Sequence, residues 1–300
     1  MAAKTNVTTS AQFTTSAREV DFVSRFADNW DALRNIMGIM RPIRKAPGTK
    51  LVSYKASVDG DLKGGTVAEG DEIPFTKMKV APVAYGDIDI SKYAKSVTIE
   101  SVAKYGADVA VEKTDEAFLV ALQNKVLTDF YTFLGTGTLK VTEKTWQRAL
   151  AMAKGKVLDK FAGLDKDVTE VVGFANIIDA YDYLGDKEIT VQTMFGINYV
   201  ENFMGYRTLF LLPEKYIASK KVIALPVENI DLYYVDPSDS DFAKLGLNYT
   251  VKGETNLIGV HVDGDYSRAT GDMYAIMGMK LWAEYLDGIA VATVSVAGAG

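Results

Sequence analysis

The stretch that decides the fold is residues 47–86, which read PGTKLVSYKASVDGDLKGGTVAEGDEIPFTKMKVAPVAYG. Two strand-like arms, Lys50 to Val58 and Ile73 to Val83, flank a centre that glycines interrupt. Few residues of this stretch are large and apolar, so we expect it to form no hydrophobic core of its own. A long two-stranded excursion is marginally stable in water, and inside a compact domain it usually has a function. The stretch predicts either a solvated hairpin or an arm that lies on another copy of the protein.

The charges of this hairpin are unevenly distributed along the chain. The acidic residues Glu69, Asp71 and Glu72 come first, and the basic residues Lys77 and Lys79 follow. On a neighbouring copy these groups would face opposite charges. Charged pairs at the rim of an interface add register and specificity more than affinity. We therefore predict that all five side chains contact a neighbouring copy.

Composition excludes several kinds of chemistry. The 300-residue chain has no cysteine and one histidine, so it has no disulfide, no cysteine nucleophile and no cysteine-ligated zinc site. Its formal net charge of −6 argues against broad nucleic-acid binding through a basic surface. Residues 1–16 lack the apolar region of a secretory signal, and no apolar run is long enough to predict a membrane span.

No residue pattern points to catalysis. His261 lies in an alternating, strand-like run and is expected to be structural or solvent-facing. Gly155 and Lys156 lack the upstream glycine of a phosphate-binding loop. Two acidic clusters fit surface turns better than a calcium loop: Asp236, Asp239 and Asp241, and Asp263, Asp265 and Asp272. We predict no catalytic, cofactor-binding or metal-ligating residue, and no enzymatic activity.

The N-terminal segment has two parts. Residues 1–16 are rich in threonine and serine and are expected to form a loose arm unless a partner orders them. A capping box over residues 16–19 begins a helix. This helix places Phe22, Phe26 and Trp30 on one face at helical spacing. That face either packs on the chain's own core or docks on a neighbouring copy, and we predict docking.

Helices and strands alternate over the rest of the chain. Apolar periodicity predicts a long helix over residues 107–133 and a second one over residues 143–158. From Val168 the pattern becomes strand, helix, strand, with Asn176 as a helix cap and Pro213 as the first residue of a further helix. Mostly strands follow toward the C-terminus. This order predicts an α+β protein whose parts are interwoven.

The order of these parts resembles the major capsid proteins of tailed bacteriophages, which have the Hong Kong 97 type of fold. The hairpin motif VAEGDEIP at residues 67–74 is similar to the family's extended loop. The motif YAKSVTIE at residues 93–100 leads toward the long helix, which resembles the family's spine helix, and FLGTG at residues 133–137 resembles the exit of that helix. The resemblance covers nearly the whole chain.

The resemblance implies a division of the chain. It assigns residues 1–46 to an N-terminal arm and helix, 47–90 to the extended loop, 91–167 and 251–300 to a peripheral domain with the spine helix, and 168–250 to an axial α/β domain. Some family members crosslink a loop lysine to an asparagine of a neighbour. Lys63 lies near the hairpin tip and is counted among the loop contacts, but no asparagine partner is identified and no crosslink is predicted.

The resemblance also implies a function. The chain would be a structural subunit that self-assembles, as pentamers and hexamers, into an icosahedral phage head around double-stranded DNA without sequence-specific binding. Expected partners are a scaffolding protein, a portal protein and a decoration protein, with no cofactor and no membrane. The expected location is the virion, after assembly in the host bacterial cytoplasm.

Two alternative functions fit the same sequence. An encapsulin-like bacterial nanocompartment has the same fold and a different cargo, and neighbouring portal and terminase genes would distinguish a phage from it. A soluble, monomeric hydrolase or binding protein would use the hairpin as a lid and stay small. Light scattering would separate that alternative from a shell subunit.

Overall fold

The computed structural model describes residues 17–37, 40–185, 191–194, 197–227, 229–252 and 255–295. Its helices are α1 (Ala17–Met37), α2 (Ile99–Tyr105), α3 (Lys113–Gly135), α4 (Trp146–Ala162), α5 (Ile177–Leu184) and α6 (Ser240–Ala243). A π-helical segment, Asp108–Glu112, leads into α3, so the predicted long helix is confirmed. Within these residues no helix is both long enough and apolar enough to cross a membrane.

Polar side chains fix where several helices begin. Thr98 Oγ1 accepts a hydrogen bond from the Ser101 amide at 3.3 Å at the start of α2. Asn176 Oδ1 accepts one from the Ile178 amide at 2.8 Å, which confirms the predicted cap of α5. Each bond satisfies an N–H group that has no partner within its helix. Residue 16, half of the predicted capping box of α1, lies outside the described residues.

Fifteen strands occur in the described part of the chain. They are β1 (Met40–Arg44), β2 (Leu51–Val58), β3 (Met78–Gly86), β4 (Ile90–Thr98), β5 (Leu139–Glu143), β6 (Val171–Asn176), β7 (Gln192–Met194), β8 (Ile197–Glu201), β9 (Thr208–Leu212), β10 (Lys221–Pro226), β11 (Ile230–Val235), β12 (Thr250–Val251), β13 (Ile258–Asp265), β14 (Thr270–Ala283) and β15 (Ala290–Val294).

These strands form two large sheets and one hairpin. The long strand β14 organises the six-stranded sheet, which has the order β1-β11-β14-β13-β12 with β4 as a sixth strand paired with β14 off this path. One edge of β14 pairs with β13, and the other edge pairs first with β4 and then with β11. The seven-stranded sheet has the order β5-β15-β10-β6-β9-β8-β7, and β2 pairs with β3 alone.

Alternating side chains of the seven-stranded sheet fill two cores. Phe174 and Phe210 stack with ring centroids 5.3 Å apart, and the Phe130 ring of α3 meets Phe174 edge-on at 6.2 Å. This core also contains buried side chains of α1 and of the six-stranded sheet, so α3 packs where the two sheets meet. The intervening side chains, such as Ala175 and Leu211, face a second core with α4. Because both faces of the sheet are covered, β6 and β9 are buried throughout and are apolar except for Asn176 and Thr208.

The apolar face of α1 is covered by the chain itself. Phe22, Phe26 and Trp30 are buried in the core that α3 and the two sheets share, and α1 packs on β12, β13 and α3. The prediction that these three side chains dock on a neighbouring copy is therefore wrong, because a face that is already buried offers no surface to a partner. The helical spacing was the correct signal for an apolar stripe, but it does not say what covers the stripe.

A partly buried carboxylate ties three elements together. Asp115 of α3 accepts two hydrogen bonds from Arg18 of α1, at 2.5 and 2.7 Å, and pairs with Lys95 of β4. Burial alone would raise the pKa of Asp115, but the hydrogen bonds from Arg18 and Lys95 outweigh it and lower that pKa. Burial is also the main reason that the pKa of Lys95 is lowered, since its bond to Asp115 offsets that effect only in part. Asp115 thus joins the N-terminal helix, the long helix and the strand that follows the hairpin.

The two large sheets do not follow the domain boundaries predicted between residues 167 and 168 and between residues 250 and 251. Each sheet includes strands from both sides of a predicted boundary. The segment 139–162, expected in the peripheral domain, contributes β5 and α4 to the seven-stranded sheet and its core. Strand β11, expected in the axial domain, pairs with β14 in the six-stranded sheet. Strands that are far apart in sequence pair in each sheet. Such pairing leaves no local pattern in the sequence from which it could be predicted.

The second predicted helix is confirmed with shifted ends, and the helix predicted to begin at Pro213 is wrong. Helix α4 begins at Trp146 and runs through Gly155 to Ala162, whereas residues 139–143 form a strand parallel to β15. Pro213 begins a turn closed by bonds from the Tyr216 and Ile217 amides to its carbonyl, and no helix follows. Proline suits the first position of a helix, but it does not by itself produce the helix.

Replacing Asp115 by asparagine should lower the free energy of unfolding by about 2 kcal/mol near pH 7, since hydrogen bonds to charged groups contribute about that much. Because the pKa of Asp115 is lowered in the folded state, its carboxylate contributes fully to the free energy of unfolding above the pKa of the unfolded chain, about 3.9. The contribution disappears as the pH falls through the lower folded value, so the difference between wild type and variant should narrow in acid. Urea titrations of the soluble subunit at neutral and acid pH measure this.

The matched control is Asp129→Asn on the same helix, where an exposed pair joins Asp129 to Lys125. This control should change stability by less than about 0.5 kcal/mol, because exposed i,i+4 pairs contribute little. Equal effects of the two variants, or an Asp115 effect that does not depend on pH, would contradict the role assigned to this carboxylate.

Candidate functional site

The β2–β3 hairpin is exposed along most of its length. β2 pairs antiparallel with β3, with Val58 opposite Met78 at the outer end. Residues 59–77 connect the strands, so the predicted hairpin is confirmed, although its second strand begins at Met78 and not at Ile73. Beyond the base of the hairpin, β2 and β3 make extensive contacts only with each other. The hairpin therefore leaves the body of the protein and covers itself on neither face.

Aromatic rings attach the base of the hairpin to the six-stranded sheet. The Tyr85 and Trp282 rings lie 4.3 Å apart between centroids, and the Trp282 ring lies 6.0 Å from the ring of Tyr233. Lys280 Nζ donates a hydrogen bond to the Asp87 carbonyl at 2.9 Å, directly after the hairpin. These contacts fix the direction in which the hairpin leaves the sheet.

One face of the hairpin is entirely apolar. The cross-strand register places these residues on it: Val52, Tyr54, Ala56, Val58, Met78, Val80, Pro82 and Ala84. Tyr54 is 70% exposed and Val80 is 59% exposed, so none of the residues that the structure describes covers this face. The opposite face carries Ser57 and Lys79. An exposed, contiguous apolar surface of this kind marks an interaction site. We call these eight residues the apolar face.

The structure exposes all six charged residues predicted to be contacts in the loop: Lys63, Glu69, Asp71, Glu72, Lys77 and Lys79. Lys77 is already paired within the hairpin, with its Nζ 2.6 Å from Asp59 Oδ2. The Lys63 backbone is held by the Thr76 hydroxyl on the opposite side of the tip. Glu69, Asp71 and Glu72 have no ion pair with any described residue. Their contact with a neighbouring copy stays a prediction.

Sequence reasoning missed the apolar face because it judged the hairpin poor in large apolar residues. The signal was present as strict alternation, from Val52 to Val58 in the first strand and from Met78 to Ala84 in the second. Such alternation is typical of a strand with one buried face. Four apolar side chains per strand give a continuous surface only when the register aligns them.

The only histidine of the sequence lies beside a buried carboxylate. His261 Nδ1 is 3.5 Å from Glu19 Oε1, and Glu19 also accepts hydrogen bonds from the Thr250 hydroxyl at 2.6 Å and the Val262 amide at 2.5 Å. Glu19 belongs to α1, so these bonds attach that helix to β12 and β13. His261 is half exposed and serves this attachment, which gives it a structural place on its strand.

The first predicted acidic cluster lies at a turn, whereas in the second Asp265 begins a turn and Asp263 and Asp272 face each other across strands β13 and β14. Asp236 accepts hydrogen bonds from the backbone and hydroxyl of Ser238, and Asp265 does the same for Ser267. Burial would raise the pKa of Asp236, but its bonds to Ser238 and Asn256 and the nearby Arg44 guanidinium lower it. Across the described ranges no group of three or more acidic or histidine side chains is arranged to hold a metal ion.

A polar cleft of about 400 Å³ lies beside the C-terminal end of α4. Its charges neutralise one another, since Lys166 Nζ lies 3.0 Å from Glu284 Oε1 and Arg207 Nη1 lies 2.7 Å from Glu170 Oε2. Hydrogen bonds to Tyr285 and Glu284 raise the pKa of Lys166. A lysine base or nucleophile requires the opposite shift, so this cleft is not arranged for such chemistry.

Solved structures identify the fold. The mature capsid protein of bacteriophage PhiM1 matches with a TM-score of 0.56 and 7% identity, covering 86% of this chain and 86% of that one. The capsid protein of cyanophage A-1(L) matches with a TM-score of 0.55 and 14% identity, covering 87% and 92%. The chain has the phage capsid fold. The predicted fold class, α+β of the Hong Kong 97 type, is confirmed.

The same fold also occurs in bacterial shells. The SrpI encapsulin of Synechococcus elongatus PCC 7942 matches with a TM-score of 0.51 and 12% identity, covering 97% of this chain and 93% of that one. At the level of sequence, no family model matches the chain, and no curated protein matches it. The likeness is therefore carried by the arrangement of the elements, and it shows the fold.

Hydrogen exchange on the soluble subunit should reveal the uncovered hairpin. Backbone amides of β2 and β3 beyond the base should exchange at least about tenfold faster than those of β13 and β14, because a two-stranded sheet without a covered face opens easily. Mass spectrometry of proteolytic fragments measures both regions in one sample, so β13 and β14 are the internal control. Equal protection of the two regions would show that something in the subunit covers the hairpin.

Proposed function

We propose that this protein is the major capsid protein of a tailed bacteriophage. Copies of it assemble into the icosahedral head that encloses double-stranded DNA, in the host bacterial cytoplasm, and remain in the virion. The observation that carries this proposal is an uncovered apolar face on a hairpin that projects from a phage capsid fold. A shell supplies a neighbour for that hairpin at every position.

Burial of the apolar face supplies the driving force for assembly. Removing one valine-sized or larger side chain from water stabilises a contact by about 1.5–3 kcal/mol. Tyr54, Val58, Met78 and Val80 are all large and exposed on this face, so one hairpin provides several kcal/mol before the entropy of association is subtracted. A closed shell repeats the contact, and repeated weak contacts give a stable assembly.

The loop charges act at the rim of this contact. Lys63, Glu69, Asp71, Glu72 and Lys79 extend into solvent around the apolar residues. Rim charges set register and exclude wrong pairings more than they add affinity. Glu69, Asp71 and Glu72 meet basic groups of the neighbour, whereas Lys77 contributes through its bond to Asp59 by stiffening the tip.

The two sheets correspond to the two structural domains of the subunit. Residues 1–46 form the N-terminal arm and helix, and residues 47–90 form the extended loop. The six-stranded sheet with α3 is the peripheral domain, and the seven-stranded sheet with α4 and α5 is the axial domain. This division follows strand pairing and moves β5, α4 and β15 to the axial domain and β11 to the peripheral domain.

The protein acts as a structural component and not as an enzyme. It assembles with itself as pentamers and hexamers, with a scaffolding protein during assembly, and with portal and decoration proteins in the head. Packaged DNA contacts it without sequence readout, as the net charge of −6 favours no tight general binding. Phage capsids and an encapsulin share this fold, so the choice of double-stranded DNA over a protein cargo is part of the proposal.

Replacing Tyr54 and Val80 together by serine should prevent shell formation at concentrations where the wild type assembles. The unfolding free energy of the subunit should change by less than about 0.5 kcal/mol, since both side chains are exposed. Electron microscopy and light scattering measure assembly, and urea titration measures stability. The matched control is Val120→Ser on α3, an exposed valine outside the hairpin, and this variant should still assemble. Shells of normal yield from the double variant would contradict the role of the apolar face.

Neutralising the loop acids by E69Q, D71N and E72Q should have a smaller effect. The concentration needed for assembly should rise by less than about tenfold, and its dependence on salt should weaken, because exposed charges are screened. Light scattering over a range of salt concentrations measures both quantities. A triple variant with the threshold and salt dependence of the wild type would show that these acids do not touch a neighbour.

A further inference from the structure

Within the described residues the chain crosses between the two large sheets three times. The first crossing leads from β4 to β5 by way of α3, the second leads from β10 to β11, and the third leads from β14 to β15. The three crossings meet at one place, which consists of residues 137–139, 229 and 284–289. We call these residues the junction.

The side chain of Asn229 joins the second crossing to the third. Its Nδ2 donates a hydrogen bond to the Tyr285 carbonyl at 2.9 Å, and its Oδ1 accepts one from the Tyr285 amide at 2.9 Å. The backbone carbonyl of Asn229 accepts a further bond from the Glu284 amide at 3.0 Å. Asn229 is 5% exposed, so water competes little for these bonds. The asparagine amide thus pairs with the backbone of Tyr285 as a neighbouring strand would.

The third crossing is bonded to the first crossing as well. The Thr138 and Leu139 amides donate hydrogen bonds to the carbonyls of Leu286 and Ile289, each at 3.3 Å. A Cβ atom at Gly137 would lie 2.5 Å from the Ile289 carbonyl oxygen, so the close approach of the two segments requires glycine. The third crossing therefore lies between the other two and is bonded to both.

Helix α4 holds the third crossing against the seven-stranded sheet. The Phe161 ring meets the Tyr285 ring edge-on with centroids 5.5 Å apart, and Lys160 Nζ lies 2.6 Å from Asp287 Oδ2. Asn229 directly precedes β11 of the six-stranded sheet. Its bonds to Tyr285 therefore connect the end of one sheet to a segment that is fixed on the other.

We infer that Asn229 fixes the angle between the two sheets and thereby the curvature of the shell. The inference rests on the proposed function and goes further, because it assigns the control of shell geometry to one side chain. The apolar core that the sheets share resists their separation, but apolar contacts have no preferred direction. Hydrogen bonds have one, so Asn229 acts as a positioning residue.

The polar cleft beside α4 gives the junction space to move. Pro226, Val227, Asn229 and Tyr285 all line this cleft. Its volume of about 400 Å³ is many times that of a water molecule. Water can therefore reach the peptide groups of Tyr285 once the Asn229 side chain is removed. Loss of this side chain should leave the subunit folded and release the second crossing from the third.

The angle matters to a shell because each sheet presents its own surface to neighbours. The hairpin leaves the six-stranded sheet beside Trp282, whereas the seven-stranded sheet forms the axial domain in the proposed assembly. A change in the angle between the sheets therefore changes the angle between subunits. An assembly closes only when the rotation between copies permits it. A subunit with a loose junction should build particles of more than one curvature.

Spin labels on the free, full-length subunit test the angle directly. The chain has no cysteine, so Lys92→Cys on β4 and Lys156→Cys on α4 provide two defined, exposed label sites, one on each side of the junction. Pulsed electron-electron double resonance measures the distribution of distances between the labels. Adding Asn229→Ala should widen this distribution at least about twofold, because a freed hinge lets the two parts adopt more orientations.

The matched control is Asn176→Ala in the same labelled chain. Asn176 is also buried, and it also makes two hydrogen bonds to the backbone, with the Ile217 carbonyl at 2.9 Å and the Ile178 amide at 2.8 Å. Both partners lie in the part of the chain between β6 and β10, away from the junction. This variant should lose stability, as urea titration measures, without widening the distance distribution.

Assembly of the unlabelled variants tests the consequence for the shell. Electron microscopy should show particles of several diameters, or open sheets, from Asn229→Ala and particles of one diameter from Asn176→Ala. A distance distribution as narrow as that of the parent, or uniform shells from Asn229→Ala, would overturn the inference and leave the shell function standing. A wild-type chain that forms no shells would overturn the proposed function, and the distance distribution would still judge the role of Asn229 in the subunit.

A second variant keeps the test decisive if Asn229→Ala does not fold. Asn229→Asp preserves the size of the side chain and the acceptor for the Tyr285 amide, but it removes the donor to the Tyr285 carbonyl. The cleft admits water to the new charge. This variant should also widen the distance distribution, whereas Asn176→Asp should not. Equal widths in Asn229→Asp and the parent would contradict the role of Asn229.

Discussion

A two-stranded sheet cannot cover either of its own faces, and the rest of this structure depends on that constraint. The β2–β3 hairpin places eight apolar residues on one face and leaves Tyr54 and Val80 mostly exposed. Water opposes that exposure, so the stable state of the hairpin is one in which a partner covers the face. A protein that carries this surface on every copy is suited to repeated contact with itself.

The body of the subunit holds the hairpin in a defined direction. Tyr85 and Trp282 attach its base to β14, and Asp115 connects β4, directly after the hairpin, to α1 and α3. Helix α3 packs in the core where both large sheets meet. Because the hairpin is attached rigidly, a contact between the hairpin and a neighbour fixes the angle between the two subunits. A closed shell requires such a fixed angle.

Sequence predicted the fold class well and the interface only in part. Alternation, capping and glycine punctuation predicted the hairpin, the Asn176 cap and the long helix, because these signals are local. Pairing across large separations, such as β5 with β15, left no local signal. Phe22 shows a further limit, since helical spacing identifies an apolar face but not its partner. The apolar face of the hairpin was encoded as alternation, yet its extent became visible only through the cross-strand register.

The most direct test of the central claim is the size and shape of the purified wild-type chain. Electron microscopy, together with light scattering on the same sample, should show hollow, closed particles of uniform size built from many copies. Particles that retain nuclease-protected double-stranded DNA when isolated from infected cells would match a phage head, whereas protein cargo would match a nanocompartment. A stable monomer at high concentration, with and without a scaffolding protein, would contradict the account.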